Sequence, residues 1–345
     1  VVIVGGGVGG LATALALKES EYELFIVERD PPPPDIAPEQ AFEQWPREGV
    51  PQFRHAHILL SRIQTNLRDH HPELLQQLMA AGLYLSTVEE ILPASHYHGI
   101  VPEPGDDDLL HLWGRRATFE YVVRRYVERM PNVHFVHDTR VVGIVAEPLG
   151  RALMLRGVEL QARDDSRSQL LADIVVDASG VRSKFPEWLE ARGVQCEDES
   201  HASGFVYACR HYHLNDRADS PPREHGGGNY DYLGYATFYA EHGHYALTLA
   251  CPEDEAELCD LIRRPEGFEA LCDQLPVLRR WMRASTATTK VLGSGKFQNR
   301  WRRFGVGEGG PPLAFFPVGD TQLQTNPMYG RGCAAAFVQA EALAE

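Results

Sequence analysis

The sequence lacks several features that define whole classes of protein. No apolar run approaches the roughly 20 residues that a membrane-spanning helix needs. Positive charge is in deficit, because 33 Lys and Arg residues stand against 48 Asp and Glu residues and leave a formal net charge of −15. Nucleic acid and anionic membranes are therefore disfavoured as the main partners. Low-complexity tracts are also absent, so the 345 residues are expected to form about two folded domains.

The cysteines show neither a Cys-x-x-Cys pair nor a regular spacing. They are Cys196, Cys209, Cys251, Cys259, Cys272 and Cys333. This pattern favours reduced thiols in a cytoplasmic protein over a disulfide framework. The sequence begins inside an apolar run and stops inside a helical pattern, so we expect it to be part of a longer protein.

Four His-x-His pairs raise the question of a metal site, because residues i and i+2 of a strand share a face. The pairs are His55/His57, His96/His98, His211/His213 and His242/His244. No further ligand stands at a recognisable spacing from any pair. Ordinary strand or surface histidines are the simpler interpretation, and we predict no metal site.

A glycine-rich turn near the N-terminus is the first positive signal. Residues 1–4 are typical of a parallel strand buried on both faces, and Gly5, Gly7 and Gly10 then fit G-x-G-x-x-G. An amphipathic helix pattern follows directly. Glycines between a strand and a helix let a pyrophosphate approach the backbone, so this order predicts a bound dinucleotide.

An acidic residue follows at the expected distance. A second strand pattern, at residues 22–27, ends in Glu28, which lies 18 positions after Gly10, where a dinucleotide fold places the carboxylate that holds a ribose. The neighbouring Arg29 could pair with a 2′-phosphate of NADP or line the adenosine pocket of FAD. These residues alone leave NAD(P) and FAD as alternatives.

The last part of the chain could hold a large planar cofactor. A buried strand pattern at residues 313–318 delivers Asp320, whose carboxylate can accept hydrogen bonds from sugar-type hydroxyls. Pro327, Gly330 and Gly332 then allow the backbone to approach a flat ring. A helix of small residues follows, with its positive N-terminus directed at that ring.

The middle of the chain adds two arginines and a tyrosine-rich segment. Arg54 and Arg116 stand where predicted helices begin, and a guanidinium there can reach a phosphate. Residues 205–249 are predicted to form an antiparallel sheet that covers a cavity. Tyr207, Tyr235 and Tyr239 lie in that segment, and either a substrate wall or core packing would explain them.

Three motifs together resemble the class A flavoprotein monooxygenases, the family of para-hydroxybenzoate hydroxylase. They are G-x-G-x-x-G with Glu28-Arg29, the central Asp-Ala-Ser-Gly at residues 177–180, and Gly319-Asp320 with P-x-x-G-x-G. They follow one another in the family's order over the whole chain. The stretches PQFRHAHILL and DASGVRSKFPEWL are similar to the epoxidases of polyketide polyenes, which are enzymes of secondary metabolism.

The resemblance implies an α/β fold in which a Rossmann-like parallel sheet of the glutathione-reductase type binds FAD and an inserted antiparallel sheet binds substrate. The implied FAD-binding domain is 1–82, 110–192 and 300–345, and the substrate domain is 83–109 and 193–299. The implied FAD contacts are Gly5, Gly7 and Gly10 (pyrophosphate), Glu28 (adenosine ribose), Arg29 and Val141 (adenine), Arg54 and Arg116 (flavin chain and pyrophosphate), Asp320 (ribityl chain), and Pro327, Gly330 and Gly332 (isoalloxazine).

The implied reaction is oxygen transfer. NAD(P)H, bound transiently, would reduce FAD, and O₂ would form a C4a-hydroperoxide that epoxidises or hydroxylates an apolar small molecule. Such a substrate needs no general base, whereas a phenol would need a proton relay, for which His57 and Tyr207 are candidates. A reductase similar to geranylgeranyl reductases and a halogenase are the alternatives.

Two details bear on these alternatives. The central family motif is usually Asp-Gly, whereas residues 177–180 read Asp-Ala-Ser-Gly. The W-x-W-x-I-P motif of the halogenases has no match in the sequence, which disfavours halogenation.

Overall fold

The structure is a computed structural model that describes residues 1–87, 90, 99, 101, 103–216, 221 and 226–345. His96 and His98 lie outside the described residues. The chain divides into two compact units, of which the first comprises 1–51, 120–201 and 298–345 and the second 52–119 and 202–297. Residues 52–82 and 110–119 thus belong to the second unit, although the resemblance implies that they are part of an FAD-binding domain. That functional division stays a prediction.

The first unit is built on a parallel sheet. The strands of the first unit are β1 (Val2–Val4), β2 (Leu24–Val27), β5 (Val133–Val136), β6 (Thr139–Leu149), β7 (Ala152–Ala162), β8 (Arg167–Leu171), β9 (Val175–Asp177), β10 (Cys196–Ala202), β17 (Gln298–Phe304), β18 (Phe315–Pro317) and β19 (Leu323–Gln324). Five of them form the sheet in the order β18-β9-β1-β2-β5, and every neighbouring pair is parallel. The other strands of the first unit form two three-stranded sheets, β6-β7-β8 and β10-β17-β19.

The first unit also contains several helices. They are α1 (Val8–Ala16), α2 (Ala41–Gln44), α6 (Phe185–Glu190) and α10 (Gly332–Ala344), while α5 (Arg116–Val127) begins in the second unit and ends in the first. All three residues of β1 are buried, as expected of a strand with both faces covered. Helices α1 and α10 pack against each other through small residues, and this places both of their N-termini near the ends of the central strands.

The second unit is an antiparallel sheet with helices on one face. Its elements are α3 (Ser61–His70), α4 (Pro72–Ala80), β3 (Tyr84–Ser86), β4 (His111–Trp113), β11 (Phe205–Leu214), β12 (Gly227–Asn229), β13 (Gly234–Tyr239), β14 (His244–Pro252), α7 (Ala256–Arg263), α8 (Pro265–Gln274), α9 (Pro276–Arg283), β15 (Ser285–Ala287) and β16 (Leu292–Ser294). The sheet runs β12-β13-β14-β11-β15, with β16 also paired to β11. Pro265 opens α8 and Pro276 opens α9, as suits a residue that lacks an amide donor.

The predicted fold class is confirmed: a parallel α/β sheet and a separate antiparallel sheet that is inserted in the sequence. Within the described residues, no helix is long and apolar enough to cross a membrane. All six cysteines are free thiols.

Candidate cofactor site

The glycine turn leaves open space at the N-terminus of α1. A Cβ added to Gly5, which has φ +101°, would lie 2.6 Å from the carbonyl oxygen of Ala178, and one on Gly10 would lie 1.9 Å from that of Gly5. A Cβ on Gly7, by contrast, would meet no atom within 4 Å. No side chain caps α1, and no acid stands in its first turn. The turn is therefore tightly packed at Gly5 and Gly10 and open at Gly7, beside the N-terminus of α1, where an anion is favoured.

The predicted ribose carboxylate is buried at the end of β2. Glu28 Oε2 accepts hydrogen bonds from the amide of Gly6 at 3.0 Å and from Arg47 Nη1 at 2.9 Å. Its Oε1 accepts from the amide of Asp30 at 3.0 Å, which leaves that oxygen capacity for a further donor. Burial alone would raise the pKa of Glu28, but Arg47 and these hydrogen bonds hold the pKa below its ordinary value.

The central Asp-Ala-Ser-Gly turn has a structural explanation. Asp177 is fully buried, and its carboxylate accepts hydrogen bonds from the amide and hydroxyl of Ser179 and from the hydroxyl of Ser183. Burial raises the pKa of Asp177, and these hydrogen bonds oppose that rise. The amide of Gly180 donates to Thr321 Oγ1 at 3.0 Å. The central motif therefore fixes the turn that carries Asp320.

The Asp320 turn is held from several sides. Gly319 adopts φ +69°, and its amide donates to Gln339 Oε1 on α10 at 2.6 Å. Arg302 Nη1 donates to the carbonyl oxygen of Thr321 at 3.2 Å. The side chain of Asp320 is partly exposed, and a Cβ on Gly332 would lie 3.8 Å from its Oδ1. The predicted cofactor carboxylate thus lies beside the N-terminus of α10.

The predicted flavin loop is exposed at its end, where the side chains of Met328 and Tyr329 reach solvent. Pro327 starts a short 3₁₀ turn, and Gly330 ends it with φ +62°, a left-handed conformation that suits glycine. Helix α10 then begins at Gly332 without a side-chain cap or an acid in its first turn. The N-termini of α1 and α10 therefore both present uncapped backbone amides, which suits the anionic and hydrogen-bonding groups of FAD.

The remaining predicted FAD contacts fall into two groups. In the first unit, Arg29 is exposed, and Val141 pairs with Leu160 within β6-β7. In the second unit, Arg116 begins α5 and Arg54 precedes α3. Each of these assignments stays a prediction.

His57 is a neutral imidazole that accepts a hydrogen bond from Arg116. Its Nδ1 lies 2.8 Å from the carbonyl oxygen of His55, which can only accept, so Nδ1 carries the proton. Nε2 then accepts from Arg116 Nη1 at 3.1 Å. Burial, assisted by the charge of Arg116, lowers the pKa of His57 to about 3. The two residues are 59 positions apart, and no sequence pattern predicts their contact.

The three predicted substrate tyrosines lie on opposite faces of the sheet. Tyr207 pairs with Ala250 of β14, whereas Tyr235 pairs with the adjacent Leu249. Because successive strand residues face opposite sides, Tyr207 and Tyr235 cannot line one wall. Tyr239 shares the face of Tyr235, within the helix-covered core.

Each face offers a different environment. Tyr207 stacks on Phe297 with a centroid separation of 5.3 Å and lies edge-on to His55 at 5.3 Å. Tyr239 lines a cavity of about 470 Å³ together with Trp281 and His244. Which of the two surfaces meets substrate stays a prediction. Across the described stretches, no group of three or more His, Cys, Asp or Glu side chains could hold a metal.

The fold and this site define an FAD-dependent oxidoreductase scaffold, and the residues present fit the cofactor: an open glycine turn, a buried carboxylate after the second strand, and a second carboxylate beside an uncapped helix. The chain belongs to the FAD binding domain family, whose profile matches residues 1–204.

Individual proteins similar to the chain include Protein Rv3254 of Mycobacterium tuberculosis, which is 26% identical over 375 aligned positions that cover 98% of this chain and 71% of that protein. The structure of PqsL, a probable FAD-dependent monooxygenase from Pseudomonas aeruginosa, is similar with a TM-score of 0.69 at 17% identity, over 99% of this chain and 84% of PqsL. The myxobacterial chondrochloren halogenase CndH has a TM-score of 0.69 at 16% identity, over 98% of this chain and 72% of CndH.

Proposed function

We propose that the protein is an FAD-dependent monooxygenase that uses NAD(P)H and O₂ to epoxidise or hydroxylate an apolar small molecule. The observation that carries the proposal is the pairing, within the first unit, of an open glycine turn at α1 with the Asp320 turn at α10. When bound, FAD would accept a hydride from reduced nicotinamide and activate O₂. The protein would supply binding, orientation and exclusion of water.

Each proposed cofactor contact has a physical role. Gly5, Gly7 and Gly10 would admit the pyrophosphate to the amides of α1, and Glu28 Oε1 would accept a hydrogen bond from a ribose hydroxyl. Asp320 would accept from the ribityl hydroxyls. The other proposed contacts are Arg29 and Val141 beside the adenine, Arg54 and Arg116 along the phosphates and flavin chain, and Pro327, Gly330 and Gly332 along the ring.

An apolar substrate suits the second unit. His57 is partly buried and His211 is buried, and their pKa values are lowered to about 3 and about 4 respectively, so neither imidazole adds a charge to that unit at neutral pH. Tyr207 and Phe297 offer a stacked aromatic surface. PqsL has been solved in complex with 2-aminobenzoylacetate, which supports a small-molecule substrate for this chain. The free thiols support a reducing, cytoplasmic location.

The decisive experiment measures NAD(P)H oxidation with candidate polyenes and phenols, with mass spectrometry of the products. A monooxygenase consumes O₂ together with NAD(P)H, responds to substrate, and adds one oxygen atom. A reductase turns over without O₂, and a halogenase requires halide. Either result would reject monooxygenation, and the fold similarity to CndH makes the halide control essential.

A further inference from the structure

Arg47 joins the glycine turn to the buried carboxylate after β2. Its side chain is 1% exposed. Nη1 donates to Glu28 Oε2 and to Asp30 Oδ2, both at 2.9 Å. Nη2 donates to the carbonyl oxygen of Gly6 at 3.0 Å and to Glu120 Oε1 at 2.9 Å, and Nε also reaches Glu120 at 3.2 Å. All five N–H groups of this guanidinium are therefore engaged by the protein itself.

This saturation separates Arg47 from a direct ligand of the cofactor. A guanidinium with no remaining donor and almost no exposed surface cannot bind a phosphate. Arg47 instead fixes Glu28, which keeps hydrogen-bonding capacity on Oε1, and Gly6, which lies inside the glycine motif. Its effect on the adenosine ribose must therefore pass through Glu28.

We propose that Arg47 is a positioning residue for the adenosine half of FAD, which acts by orienting the Glu28 carboxylate towards the ribose. The inference rests on the proposed FAD site. Lysine at this position keeps the charge but cannot reproduce the planar fork that holds Glu28, Gly6 and Glu120 together.

A double-mutant cycle tests the proposal. The full chain is stripped of flavin, and FAD and FMN are titrated by flavin fluorescence into the wild type, Arg47→Lys, Glu28→Gln and the double variant. Arg47→Lys is expected to raise the Kd for FAD by about tenfold, the scale of one charge-assisted hydrogen bond. FMN lacks the adenosine half, so its Kd should change by less than about twofold. In the Glu28→Gln background, the Arg47 substitution should have little further effect on FAD.

Controls make every outcome decisive. Arg125→Met removes an exposed guanidinium of the same unit that pairs with Glu128 and Asp35. This control variant should change neither the Kd for FAD nor the Kd for FMN. Equal changes for FAD and FMN, an undiminished Arg47 effect in the Glu28→Gln background, or failure of Arg47→Lys to fold would each overturn the inference and make Arg47 merely structural. If FMN binds the wild type too weakly to titrate, the double-mutant cycle with FAD decides. Absence of FAD binding by the wild type would instead refute the proposed function.

Discussion

Acid sensitivity should arise in the second unit from a histidine that is buried uncharged. His211 is 4% exposed, and its Nε2 lies 2.8 Å from the carbonyl oxygen of Arg54, so that nitrogen carries the proton. Burial lowers the pKa of His211 to about 4, and Arg115 acts in the same direction. Since the folded pKa is below the unfolded value of about 6.5, His211 stabilises the fold fully above that value and progressively less as the pH falls towards 4.

The magnitude follows from the linkage relation. A pH of about 5 lies about 1.5 units below the pKa of the unfolded imidazole, which is therefore protonated, while the folded imidazole is still mostly neutral. At 1.36 kcal/mol per unit, this difference lowers the free energy of unfolding by about 2 kcal/mol. His211→Gln keeps a hydrogen-bond donor for Arg54 but cannot titrate. The variant should therefore lose about 2 kcal/mol less free energy of unfolding than the wild type between about pH 7.5 and pH 5.

Urea unfolding at the two pH values, followed by tryptophan fluorescence, measures this difference. The second unit contains the buried Trp113 and Trp281, which report on its unfolding. The neutral His57 and His244 are present in both proteins, so their contributions cancel in the comparison. Substituting the exposed His134 by Gln provides the control. Equal pH dependence in the wild type and His211→Gln would refute the argument that burial keeps His211 neutral.

Two further substitutions test the packing of each unit. Gly10→Ala places a Cβ 1.9 Å from a backbone oxygen, so it should cost about 1–3 kcal/mol of stability and abolish flavin retention. Gly7→Ala, with no atom within 4 Å of its Cβ, should fold normally but bind FAD more weakly. Melting temperature and flavin content separate the two effects, and equal melting temperatures for the two variants would contradict the packing argument. Glu241→Ala removes the buried partner of Arg115, whose Nε lies 2.8 Å away, and should cost about 3–5 kcal/mol in urea unfolding. The exposed Glu269→Ala should cost less than about 1 kcal/mol, and a similar loss for both variants would contradict this estimate.

The order of nearby residues in the sequence was sufficient to predict the glycine turn of the cofactor site. Strand, glycines and helix lie within a few residues of one another, and packing around Gly5 and Gly10 excludes any side chain, so the motif and the structure agree. The helix starts at Pro265 and Pro276 also have a local cause, because proline fixes φ and lacks an amide donor.

Contacts between distant segments could not be predicted. Arg47 and Glu120 are 73 positions apart, and no periodic pattern marks either as a partner of the glycine turn. The opposite faces of Tyr207 and Tyr235 likewise depend on the register of β11 and β13 against β14, which the tyrosine-rich composition does not encode.

Flavin analysis of the purified protein tests the central claim most directly. Flavin released by heat and identified by chromatography should be FAD, close to one per chain, and Asp320→Ala should retain markedly less of it because the carboxylate beside α10 is lost. A colourless protein that binds NAD(P) but no flavin would contradict the assignment. Unchanged FAD content in Asp320→Ala would contradict the role of this carboxylate.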